Sequence, residues 1–82
     1  MFKVYTEDTF SNDARDIAAR HFDGFTLTRG VGCWRGTFER SQMFEIDTQD
    51  GERVYNFARE LKTALGQQAV LVVEVSSNSV LV

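Results

Sequence analysis

The periodicity of its apolar residues constrains this chain more than any other feature. Ala14, Ile17, Ala18, His21 and Phe22 recur at i, i+3, i+4, i+7 and i+8, which is one face of a helix. Val54, Phe57, Ala58, Leu61, Ala64 and Leu65 form a second helical stripe that stops at Gly66. Around these stripes the period changes to two. Phe2, Val4 and Thr6 alternate with Lys3 and Tyr5, and two extended runs follow over about 25–34 and 37–47. In the second run Phe44 and Ile46 alternate with Met43, Glu45 and Asp47. Gln68–Val75 is nearly continuous in β-branched residues, as in a strand buried on both faces or at an oligomer contact.

The order β-α-β-β-α-β with right-handed crossovers predicts an α+β, ferredoxin-like layer over residues 1–82, as one domain. Two helices would cover one face of an antiparallel sheet. Val80–Val82 would add a short fifth strand after a turn or bulge at Ser76–Ser79. A related α+β roll with another strand order fits the same pattern. Local signals set the element ends. Ser11 and Asn12 are N-cap types, Asp16 and Arg20 stand at i, i+4, and Asp23-Gly24 is a helix stop. Asp50 or Thr48 would cap the second helix.

With 82 residues there is room for one core, and a second copy would bury apolar surface that a lone domain leaves wet. A homodimer through the last strand and its tail is therefore expected. One cysteine excludes an internal disulfide and a cysteine metal cage, which suits a reducing cytoplasm. The start MFKVYTEDTF lacks the charged-then-apolar order of a signal peptide, and AVLVV is too short to span a bilayer. A net charge of −3 argues against general nucleic-acid binding. Residues 29–40 run against that balance, with Arg29, Arg35 and Arg40 set against Glu39 alone.

That basic spot falls in TRGVGCWRGTFERS, residues 28–41, which holds the only Trp and the only Cys. Ten-residue strands span roughly 33 Å at about 3.3 Å per residue. Helices of about 12–16 residues span only ~18–24 Å. The tip of the hairpin should overhang the helices. Its glycines do not make a dinucleotide loop, because GVGCWRG leads into a strand and not into a helix. They permit a bulge and a turn, with Gly36 near the tip. Trp34 either lids the edge of the core or, on an overhang, anchors a partner, with Arg29, Arg35 and Arg40 reading charge. Other candidates carry less. His21 lies on an apolar face near a helix C-terminus, a structural position. Cys33 has no base beside it, and Glu39, Glu45 and Asp47 show no sign of burial. No nucleophile–base pair, metal spacing or cofactor motif is present, so the chain reads as a non-enzymatic protein without a cofactor.

The run GCWRGTFERSQMFEI, with the following amphipathic helix and GQQAVLVVEV, resembles small proteins of bacteriophages and prophages. It is also similar to a bacterial family of unknown function with a G-x-W-x-G…E-x-S hairpin. Gly32, Trp34, Gly36, Glu39 and Ser41 occupy those positions here. The resemblance covers about residues 22–75. It implies a small phage accessory protein in the host cytoplasm, and by analogy an inhibitor of a host defence complex. The other expectation is a binder that captures an anionic nucleotide between subunits, with arginines on phosphate and Trp34 stacked on a base.

Overall fold

The computed structural model describes residues 1–76, so the strand expected at Val80–Val82 and the contact expected of that tail lie outside the described residues. The elements run β1 (Phe2–Glu7), α1 (Asp13–His21), β2 (Thr26–Trp34), β3 (Thr37–Ile46), α2 (Gly51–Ala64) and β4 (Leu71–Glu74). The sheet is antiparallel with strand order β2-β3-β1-β4, and the two helices pack together over one face. This is the ferredoxin-like α+β layer that the periodicity predicts.

Strand alternation builds the lower half of the core. Phe2, Val4 and Thr6 of β1 lie directly across from Ile46, Phe44 and Gln42 of β3, and all six are buried. Val54, Phe57, Ala58 and Leu61 of α2 close over them, with Ala14, Ile17 and Ala18 of α1 beside. Phe57 links the layers. Its ring is edge-on to Phe44 at 5.3 Å and to Phe22 at 5.4 Å. Each such pair adds about 0.5–1.5 kcal/mol beyond the area it buries.

Helix ends follow the sequence at α2 and depart from it at α1. The Asp50 carboxylate accepts the Arg53 N–H at 3.1 Å, and Gly66, at φ 63°, takes the left-handed turn that ends α2. At α1 the side chain of Asn12 makes no cap hydrogen bond; the Ser11 hydroxyl accepts from the Asp13 N–H instead. The helix stops at His21, ahead of Asp23-Gly24, because Phe22 swings to an extended conformation that buries its ring. Asp16 pairs with its neighbour Arg15 at 3.1 Å, and Arg20 reaches across to Glu60 of α2 at 2.9 Å. The Arg20 guanidinium, joined by His21, holds the Glu60 carboxyl below the usual range. His21 serves the helix contact, packed against Phe57 and bonded to the same oxygen of Glu60 at 3.3 Å.

The last strand corrects the expectation of burial on both faces. β4 is four residues long and sits at the sheet edge beside β1. Val70 and Val72 pack on the core while Leu71 is exposed, so β4 is not buried on both faces. Among the described residues no helix is long and apolar enough to cross a membrane.

Leu61 and Phe57 are fully buried on the inner face of α2, so Leu61→Ala and Phe57→Ala should each destabilise by about 2–5 kcal/mol. Equilibrium denaturation checks this; a loss below about 0.5 kcal/mol, the level of a surface substitution, would mean that the stripe faces elsewhere.

Candidate functional site

β1 ends at Glu7 opposite Ser41, but β2 and β3 go on without it. Four further pairs, Val31↔Arg40, Gly32↔Glu39, Cys33↔Phe38 and Trp34↔Thr37, form a two-stranded arm. The pairing is unbroken from Thr26 to Trp34, so the bulge expected at the glycines is absent. Arg35 at φ 49° and Gly36 at φ 80° close the arm as a two-residue turn with both residues left-handed. Such a turn continues the right-handed twist of its strands, which keeps the arm a direct extension of the sheet.

The arm lies out of the helices' reach. α1 and α2, at 9 and 14 residues, span about 14 and 21 Å, whereas β3 spans about 33 Å. Large apolar side chains on the overhang therefore stay wet: Val31 is 69% exposed, Trp34 69% and Phe38 74%. Trp34 does not lid the core.

Alternation divides the arm into two faces. Leu27 packs on the core, so Arg29, Val31 and Cys33 share its side, together with Phe38 and Arg40 across from them. Thr28, Gly30, Gly32 and Trp34 occupy the other side, with Glu39 and Ser41. The four residues expected to form one surface are thus split. Arg29 and Arg40 stand on the helix side and Trp34 on the opposite side. Arg35 stays with Trp34 at the tip, its guanidinium carbon 5.5 Å from the indole centroid.

Asp8 braces the helix side. It follows Phe2, Val4 and Thr6 on their inward parity and is buried where the apolar core ends. One carboxylate oxygen accepts the Phe10 N–H at 2.9 Å, and the other lies 3.5 Å from the Arg29 Nε. Its own N–H donates to the Arg40 carbonyl at 3.0 Å. Phe10 is thereby held at φ 60°, a conformation costly for a bulky residue, with its ring 76% exposed. The Arg40 guanidinium lies over that ring at 5.4 Å. Beside this brace, Gln42 donates to the Glu7 carbonyl at 3.2 Å from a fully buried position, opposite Thr6.

Phe10 and Arg35 are the two non-glycine residues with positive φ among the described residues. Both belong to the arm and its brace. Strain of this kind persists where the surroundings enforce it, and it gathers at working sites.

The other candidates fall away from this geometry. Cys33 is exposed beside Phe38, and Glu45 pairs with Lys3 at 3.9 Å. Among the described residues no three His, Cys, Asp or Glu side chains gather to hold a metal ion. Between the arm and residues 66–70 lies an open notch of about 730 Å³ lined in part by Tyr5, Trp34, Arg40, Glu7 and Glu39. Neither a protein-family model nor a curated protein sequence matches the chain.

Sequence reasoning passed over Asp8, Phe10 and Phe38. The inward parity of Asp8 was there to be read; the left-handed backbone of Phe10 had no signal in residue type. Asp8→Ala should destabilise by about 1–3 kcal/mol through lost charge-assisted bonds. Asp8→Asn, which keeps an acceptor for the Phe10 N–H, should recover part of this. Thermal and chemical melts of both variants decide; equal losses would mean that the Phe10 bond contributes nothing.

Proposed function

We propose that the chain is a non-enzymatic interaction protein that docks on another protein through the helix side of its arm. Phe10, Val31 and Phe38 are the apolar anchors, Arg40 is the flanking charge and Arg35 marks the tip. The observation that carries this reading is a coincidence of place. The four most exposed large apolar side chains of the described residues, Phe10, Phe38, Val31 and Trp34, lie on the arm and its brace, where both strained residues also lie. Exposed aromatic groups on a braced, pre-ordered element lose little entropy on docking, and arginine beside aromatic residues is the composition of interface hot spots. Arg29 is already bound by Asp8, which leaves Arg35 and Arg40 to face an acidic rim around an apolar pocket. The likeness to small phage proteins makes a host protein complex, such as a defence assembly, the partner class. The activity is then occlusion of a surface on that complex.

The notch beside Trp34 favours a second reading, capture of a small planar ligand, because its volume falls within the range of ligand sites. An anionic nucleotide fits it less well. Glu7 and Glu39 line the same space and offset Arg40, which also borders it, while Arg29 is held by Asp8.

Affinity capture from host lysate, with melts run alongside, tests the docking reading. Phe38→Ala and Phe10→Ala should each cost about 2–4 kcal/mol of binding while the melting temperature hardly moves. Arg35→Asn should lose partner yet raise stability by up to about 1 kcal/mol, since asparagine accepts the left-handed turn more readily. Unfolding by Phe38→Ala, or unaltered capture by all three variants, would contradict the assignment.

A further inference from the structure

β2 is an edge strand nine residues long; no described residue pairs with its outer edge, and it carries few of the devices that keep edges apart. It has no proline, no lysine and no bulge, and its one charge, Arg29, is held by Asp8. In its middle stand Gly30 and Gly32, which the single chain does not explain. Neither has positive φ. A Cβ built on Gly30 meets nothing within 4 Å, and one on Gly32 comes no closer than 3.9 Å to Ser41. Glycine weakens a strand, and where neither backbone conformation nor internal crowding requires it, the remaining reason is an approach from outside.

We propose that β2 pairs antiparallel with β2 of a second copy about a two-fold axis at Gly32, so that Trp34 of each chain lies on Gly30 of the other. The two-residue turn makes Trp34↔Thr37 a hydrogen-bonded pair. Alternation then directs the backbone groups of Gly30 and Gly32 inward to β3. The N–H and C=O groups of Val31 and Cys33 point to the free edge. Pairing about Gly32 lets Val31 exchange hydrogen bonds with Cys33 of the second copy. It sets Gly30 opposite Trp34 as a closely spaced pair, about 4.5 Å between Cα atoms. A large aromatic group over a cross-strand glycine supplies the packing that the glycine lacks. The contact is self-complementary: each chain offers one exposed indole and one bare stretch of strand two and four residues away on the same face. Arg29 falls opposite Arg35 of the second copy, yet the two guanidinium groups are already drawn apart, one to Asp8 and one over Trp34. The occupant is a second copy because the indole and the bare strand are both on this chain.

This pairing goes beyond the docking reading, and the two fail separately. A dimer that captures no partner removes only the docking, and a monomer that captures one removes only the pairing. The test joins sedimentation of the full chain at micromolar concentration with two variants. Gly30→Val puts a side chain where the second copy's indole would sit, in a place that is empty in the single chain. It should turn the dimer into a monomer without lowering the melting temperature measured at high dilution. Val31→Cys adds a thiol facing native Cys33 of the second copy, within disulfide reach for paired strands. Mild oxidation should give a covalent dimer on a non-reducing gel. Leu27→Cys, which would meet Cys33 only if the axis lay at Gly30, should not. A monomeric wild type, a dimer that survives Gly30→Val, or cross-linking through Leu27→Cys in place of Val31→Cys would each overturn the proposal.

Discussion

A helix advances 1.5 Å per residue and a strand about 3.3 Å, so two short helices cannot cover a ten-residue hairpin. The division into a covered core and an uncovered arm follows from that mismatch. The core forms where α1 and α2 reach, from Phe2 to Thr6 on β1 and from Gln42 to Ile46 on β3. Where they stop, the sheet narrows to two strands and apolar side chains meet water. The boundary is marked by a change of chemistry. Inward positions pass from Phe44 to Gln42 to Arg40 on β3, and from Val4 to Thr6 to Asp8 at the end of β1.

An overhang of two strands is marginal by itself, since an isolated hairpin has little stability in water. Here it inherits register from the four-stranded part and is fastened at its root. Asp8 ties three segments together: the chain leaving β1 through Phe10, β2 through Arg29 and β3 through the Arg40 carbonyl. The brace also sets the price of the site in strain, holding Phe10 in a conformation that its residue type resists. Because successive strand residues point to opposite sides, one arm presents two unlike surfaces. The helix side is aromatic and basic, and the other is an indole beside two glycines. Two contacts of different kinds fit on it, one led by Phe10 and Phe38 and the other by Trp34 and the glycines.

Much of this was legible in the amino-acid order. The two helical stripes, the alternation of Phe2, Val4 and Thr6 and the extended runs over 25–34 and 37–47 placed five of the six elements to within about two residues. The rise per residue implied the overhang before any coordinates. β4 was overread because a β-branched run says that a strand forms and says nothing of how many neighbours it has. The end of α1 was misplaced because burial of Phe22 outweighs the local preference of Asp23-Gly24. Grouping Trp34 with Arg29 fails on parity, because strand neighbours alternate between faces; Arg40 has the parity of Arg29 yet still borders the notch that Trp34 lines.

The central claim is that the arm is folded and that the described residues of the single chain leave it uncovered. Trp34, the sole tryptophan, reports on this directly. The measurement is its fluorescence at high dilution, with emission maximum and acrylamide quenching followed through a circular-dichroism melt. An exposed indole on a folded domain gives red, readily quenched emission below the melting transition and little further red shift through it. Blue, quencher-resistant emission at the highest dilution, shifting red only as the domain unfolds, would place Trp34 inside the fold and contradict the account.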